Sequence, residues 1–300
     1  MKALKIEHIL AIVSAVLTFF AFYVIFEDIS ANESIFYLCL AINLLISLNI
    51  YWLLSKKYRA HRTLLRTPPP KEWQPLLENT VRFFEELNQS EKNAFLKRCQ
   101  LFLHSINIIG VETKIDEQTR ILIAASAIIP VFHFPQFTYT NLEEVLVYPS
   151  AFNVNFKKAG KKTANGMVGK GILANKMILS QKALIAGFSN EQDKINVGIH
   201  EFVHLIDGMD GAFDGVPNVL MDKSYVLPWI DRIYLEIQKI KSNRSKINPY
   251  GATNKAEFFA VASEFFFEQP TLMKRKYPEL FQLMEITFTT KNKNPFAAKK

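Results

Sequence analysis

Three hundred residues with 49% apolar content are enough to bury a sizeable core in one or two domains, and the formal net charge of +8 is unevenly placed. Lys2 and Lys5 open the chain, five basic residues lie between Lys56 and Arg66, and four lysines lie between Lys291 and Lys300, which leaves 25 basic against 24 acidic side chains in residues 67–290. That near-neutral body excludes a nucleic-acid-binding surface, and two cysteines, Cys39 and Cys99, exclude a disulfide framework.

His8 to Phe26 and Ile35 to Leu54 are nearly unbroken apolar stretches, each long enough to span a hydrocarbon core as a helix. The loop between them, Glu27 to Ser34, is acidic and holds no Lys or Arg, whereas both outer flanks are basic. That distribution predicts a two-span hairpin in the inner (cytoplasmic) membrane, with both termini and the rest of the chain on the cytoplasmic side. A cleaved signal peptide is the alternative, but no small-residue cleavage site follows the first stretch. Asn43 and Asn49 in the second stretch are suited to hydrogen bonds across the helix pair.

Pro68-Pro69-Pro70 is a stiff extended break. It divides a hairpin with its basic juxtamembrane segment (residues 1–66) from a main domain (67–290) and a basic tail (291–300). Pro75 to Ser105 carries apolar residues at helical spacing, with a helix start expected at Ser90-Glu91-Lys92-Asn93. Thr119 to Pro130 is apolar but too short to span, and reads as a core helix. Short strands are expected at Val145–Tyr148, Met167–Leu173 and Met177–Leu179. Ser189-Asn190-Glu191-Gln192 then resembles a capping box that starts another helix. The order is that of an α+β domain, with dominant helices and a small sheet.

The helix expected after Gln192 holds His200-Glu201-Phe202-Val203-His204. Residues four apart lie on one helix face, so both imidazoles point at one spot, and Glu201 reaches a water bound to a metal held there. A catalytic zinc takes three protein ligands and keeps a fourth position open. A third histidine six residues after His204 is ruled out, because Asp210 stands there, and Asp207 replaces the glycine that accompanies it in that arrangement. A later glutamate remains, and residues 250–268 offer Glu257, Glu264 and Glu268. Glu257 ranks first: it falls in the first turn of a strongly apolar helix, where a buried carboxylate needs a partner. Its alternative role is a capping box with Asn254. Glu264, seven residues on and on the same face, is either an acceptor that holds a ligand histidine or a buried partner of a basic side chain.

His61 and His104 lack ligand spacing and read as solvated or packed residues, and His133, between Phe132 and Phe134, reads as a loop histidine, with a place near the cleft as its alternative. Asp207, Asp210 and Asp214 lack the closing glutamate of a calcium loop. They read as a polar turn, with Asp207 a candidate partner behind the metal ligands.

The run from His200 to Asp207 resembles the MtfA-type zinc-dependent peptidases. So do Asp214-Gly215-Val216-Pro217, Tyr250-x-x-Thr253-Asn254-x-x-Glu257-Phe258-Phe259-Ala260 and Ser263-Glu264-Phe265-Phe266-Phe267. The resemblance covers roughly Trp73 to Leu283, with Ile123–Pro130 and Val147-Tyr148-Pro149 inside it. It implies a zincin-like metallopeptidase domain of the gluzincin type, related to the catalytic domain of lethal-factor-like toxins. His200, His204 and Glu257 would hold one Zn2+, Glu201 would be the general base and Tyr250 would steady the oxyanion. It also implies aminopeptidase-type cleavage of short peptides, and a transcriptional-regulator partner for some members. The hairpin before Pro68 departs from the soluble members of that family.

Two rivals follow. An intramembrane zinc protease needs the motif helix to be an apolar span, and Asp193, Lys194, Asn196, Asp207 and Asp210 leave too short a run for that. A membrane-tethered regulator-binding protein, with a structural or vestigial zinc site, would close the fourth ligand position.

Overall fold

The computed structural model describes residues 2–27, 33–153, 163–169, 171–190 and 193–289. Residues 28–32 of the acidic loop, Glu191 and Gln192 of the expected helix start, and the basic tail 291–300 lie outside the described residues. The chain separates into two compact units, Met1–Pro68 and Pro69–Lys300, each described by itself.

In the first unit, α1 (Lys2–Glu27) packs against α2 (Glu33–Leu54), and α3 (Lys56–Arg66) follows. Both α1 and α2 are long and apolar enough to cross a membrane, and large side chains such as Leu17, Phe20 and Leu45 face outward. Their shared face is polar in part. Asn43 is buried and its Nδ2 donates to the Phe19 carbonyl oxygen at 3.0 Å, a bond between apolar helices that contributes about 1 kcal/mol. Asn49 is exposed instead. At the α2–α3 junction, Ser55 Oγ donates to the Tyr51 carbonyl oxygen and accepts from Arg59, whose guanidinium lies over the Trp52 ring.

The second unit opens with α4 (Trp73–Thr80), α5 (Arg82–Glu85) and α6 (Gln89–Ser105), then β1 (Asn107–Gly110) and α7 (Glu117–Ile128). Helix α6 starts at Gln89, one residue earlier than the expected Ser90, because Asn88 is the better cap. Its side chain accepts from the Ser90 and Glu91 N–H groups, while the Glu91 carboxylate accepts from the Asn88 N–H. Helix α7 is capped by Asp116 and buried along Ile121–Ile128, so the Thr119–Pro130 segment is a core helix.

Strands β2 (Glu144–Tyr148), β3 (Phe152–Asn153), β4 (Thr163–Ala164), β5 (Gly166–Val168) and β6 (Lys176–Ser180) follow. The expected strand from Met167 to Leu173 stops at Val168. Gly171, at φ 62° in the left-handed region, turns the chain into the 3-10 segment Gly171–Leu173. The main sheet has the order β1-β2-β6-β5, with β1, β2 and β6 parallel and β5 antiparallel on the edge; β3 and β4 form a separate ribbon. Asn165 O accepts from Ser180 N at 2.7 Å and Gly169 N donates to Lys176 O at 2.8 Å. In an antiparallel ladder the alternate residues then face the other way. Gly166 and Val168 therefore turn their main-chain N–H and C=O toward the edge that carries no strand among the described residues.

Helices α8 (Gln181–Ser189), α9 (Val197–Asp207), α10 (Lys223–Lys241), α11 (Lys255–Glu268), α12 (Pro270–Lys276) and α13 (Pro278–Thr289) complete the unit. Ser189 ends α8 rather than starting the motif helix, and α9 is capped by Asn196, whose side chain accepts from the Ile199 N–H. Helix α9 packs against α7 on one side and α11 on another. Phe202, Phe258, Phe259 and Trp229 are fully buried around it, each burial contributing about 2–3 kcal/mol. The architecture is α+β, with helices dominant and a small mixed sheet whose antiparallel edge lies beside α9.

Candidate active site

His200 and His204 sit one turn apart on α9, with ring centroids 4.8 Å apart and Nε2 atoms 3.1 Å apart. Helix α11 brings Glu257 to the same point: its Oε2 lies 3.1 Å from His200 Nε2 and 3.3 Å from His204 Nε2. Donor atoms of the three residues all lie within 4.8 Å of one another, and the group could hold a metal ion. Donors about 2.1 Å from one tetrahedral ion stand roughly 3.4 Å apart, so the observed spacing suits a small divalent cation. Two imidazole nitrogens facing each other beside a carboxylate also need positive charge between them. The donor set fits a metal.

The cap at the start of α11 uses only the backbone of Glu257. Asn254 accepts from the Glu257 N–H at 2.9 Å, while the carboxylate turns to the histidines. Glu264, about two turns further along the same helix and 4% exposed, stands behind His200. Its Oε1 lies 2.7 Å from His200 Nδ1, and its Oε2 accepts from the Asn196 N–H at 2.6 Å. In a neutral imidazole that contact puts the proton on Nδ1 and leaves Nε2 free as a donor to metal. Glu268 is buried but stands outside the cluster.

Charge in this pocket is strongly coupled. Burial pulls the His200 imidazole down, but hydrogen bonds to Glu257 and Glu264 outweigh it and hold its pKa well above the ordinary histidine range. Burial opposes ionisation of Glu257 too, yet the two histidines keep its carboxyl well below the usual range. Glu201 is 5% exposed, and burial pushes its carboxyl up, against the pull of His200 and His204.

Tyr250 lies in the 3-10 turn Pro249–Ala252, where Asn248 caps its N–H at 3.0 Å. Its ring is exposed, with its centroid 6.1 Å from that of His200. Burial on one side raises the phenol pKa, and the Glu257 carboxylate, which its hydroxyl meets, adds to the effect. A cleft of about 490 Å³ joins these groups. Gly166, Met167 and Val168 line one wall and Tyr250, Asn254 and Lys255 the other, with Phe213 and Asp214 nearby.

The three aspartates after α9 build turns. Asp210 accepts from the Ala212 N–H and from Asn218 Nδ2, and Asp214 accepts from the Val216 N–H. Asp207 is buried; its Oδ2 accepts from the Gly215 N–H at 3.0 Å, and its Oδ1 has no hydrogen-bond partner among the described residues. Gly215 in turn accepts from Trp229 Nε1 through its carbonyl at 2.7 Å. It sits at φ 78°, and a Cβ on it would come within 2.4 Å of the Lys255 carbonyl oxygen. This tie joins the end of α9, the body of α10 and the start of α11, and so sets the histidines against Glu257. Sequence reasoning missed that role of Gly215, although the Asp-Gly-Val-Pro run marks a turn. His61, His104 and His133 take no part in the cluster.

Residues 55–289 match the family described as glucose-regulated metallo-peptidase M90. A Synechocystis protein, slr2042, described as uncharacterized, is 29% identical over 243 residues, covering 74% of this chain and 85% of its own. Mlc titration factor A of Escherichia coli is 26% identical over 248 residues, covering 78% of this chain and 89% of its own. Mlc titration factor A of Shigella sonnei matches at the same identity and coverage.

Proposed function

The chain belongs to the glucose-regulated metallo-peptidase M90 family, and on that footing we propose that it is a membrane-anchored zinc peptidase of the gluzincin type, cleaving short peptides from their amino ends. The observation that carries this reading is the meeting of His200, His204 and Glu257 within 4.8 Å, beside a buried Glu201 and an open cleft.

His200, His204 and Glu257 would hold the zinc, which when bound would supply Lewis acidity to a peptide carbonyl and to water. Glu201 takes a proton from the attacking water and passes it to the departing amine as the C–N bond breaks. A carboxyl whose pKa burial has raised suits a group that must hold that proton between the two steps. Tyr250 donates its phenolic hydrogen to the oxyanion that develops on the carbonyl. The outward N–H and C=O groups of Gly166 and Val168 receive the main chain of an extended peptide as an added strand.

Helices α1 and α2 span the inner membrane, and the basic flanks keep both termini and the peptidase domain (residues 67–290) in the cytoplasm. A second reading is a tethered regulator-binding protein with a structural or vestigial zinc site. The name of the Escherichia coli relative, which refers to titration of Mlc, favours a transcriptional-regulator partner of that kind.

The deciding experiment digests a peptide library with the purified full chain before chelation, after it, and after zinc is restored. Hydrolysis that follows the metal and requires a free amino terminus supports the proposal. A zinc-loaded protein that cleaves nothing leaves the binding-protein reading.

A further inference from the structure

At Gly166 the edge strand meets the proposed base. A Cβ built there would stand 2.4 Å from Glu201 Oε1, 2.6 Å from Glu201 Cγ and 2.7 Å from Val197 Cγ2. Carbon atoms do not come that close without something moving, so the fit of strand against carboxylate requires glycine.

Both backbones are anchored beside the contact. Strand β5 is tied to β6 on both sides of Gly166, through Asn165 O and Gly169 N. Helix α9 is held at its start by the Asn196 cap and by Glu264, and Phe202 and Val203, which directly follow Glu201, are fully buried. An added methyl group is therefore taken up by the Glu201 side chain, which swings away from the histidines. Gly166 also presents its N–H and C=O to the cleft, so one residue touches both the base and the path of the peptide.

We infer that Gly166 is a positioning residue, whose missing side chain fixes the Glu201 carboxylate beside the metal ligands and in register with the edge strand. This rests on the reading of Glu201 as the base.

The test is a pair of double-mutant cycles in the full-length, zinc-loaded chain. Gly166→Ala should lower kcat about 10- to 100-fold, the loss expected from a displacement of about 1 Å at a reacting group, with KM little changed and zinc content intact. Glu201→Asp, one methylene shorter, should lose less activity on top of Gly166→Ala than it loses alone. The second cycle reads unfolding temperature, which needs no peptidase activity. Gly166→Ala should lower it in the parent, and lower it less once Glu201→Ala has removed Cγ and Oε1. A parental kcat in Gly166→Ala, or a stability loss equal in both backgrounds (failure to fold in both included), overturns the inference. A parent that hydrolyses no peptide instead overturns the functional reading, while the unfolding cycle still decides whether Gly166 and Glu201 are coupled.

Discussion

Glu264 holds His200 from behind, with 2.7 Å between Oε1 and Nδ1, and its other oxygen accepts the Asn196 N–H that opens the same helix. One buried carboxylate thus sets both the orientation of a ligand imidazole and the start of the helix that carries it. Glu264→Gln should weaken metal binding about 10- to 100-fold, as loss of a carboxylate behind a ligand histidine does elsewhere. A chelator competition measures this. Glu264→Ala should in addition lower stability by about 1–3 kcal/mol, because the buried Asn196 N–H loses its acceptor. An unchanged metal affinity in both variants would mean that the contact is packing alone.

Glu201→Gln and Glu257→Ala should separate chemistry from metal binding. Glu201→Gln keeps the side chain's shape and removes the proton acceptor, so it should retain zinc and lose hydrolysis by about 10²- to 10⁴-fold. Glu257→Ala removes a donor from the cluster and should lower zinc content at fixed free metal. Metal analysis and peptide turnover on the same preparations distinguish the two, and swapped phenotypes would reverse the assigned roles.

Tyr250→Phe should lower kcat by about 10²- to 10³-fold and leave KM near the parent value, since the lost hydrogen bond is one strengthened in the transition state. The ring is exposed, so stability should stay within about 0.5 kcal/mol. Steady-state kinetics check the first statement and thermal unfolding the second. A rise in KM at constant kcat would make Tyr250 a substrate-binding residue instead.

Helix periodicity is what made the candidate site legible. His200 and His204 must share a face at that spacing whatever surrounds them. Glu257 and Glu264 stood out as carboxylates on an apolar helix. Boundaries were harder to read, because Ser189, Asn190 and Asn196 are all good caps, and only the packing of α8 and α9 decides among them. The run from Met167 to Leu173 is apolar enough for a strand, but a left-handed Gly171 ends it. Gly166 and Gly215 matter through what approaches them from distant parts of the chain, and local sequence carries no trace of that approach.

Asp207 should shape the pH dependence of stability. Burial pushes its carboxyl up to about 6 from an ordinary value of 3.8; the charges of Asp214 and Asp210 add to this, and the Gly215 N–H acts against it. The folded state therefore holds the proton more tightly than the unfolded state. From pH 3.8 to about 6 the unfolded carboxyl ionises first, so stability falls as pH rises through this window. Above it the loss is constant, at about 1–3 kcal/mol once relaxation of the buried group is allowed for. Asp207→Asn keeps an oxygen for the Gly215 N–H and cannot ionise. In metal-stripped protein its unfolding temperature should fall less than the parent's between pH 4 and pH 7, all other titrating groups being common to both. Parallel curves across that range would show that Asp207 is ionised in the folded protein throughout, with its charge compensated by a group or solvent that reaches Oδ1.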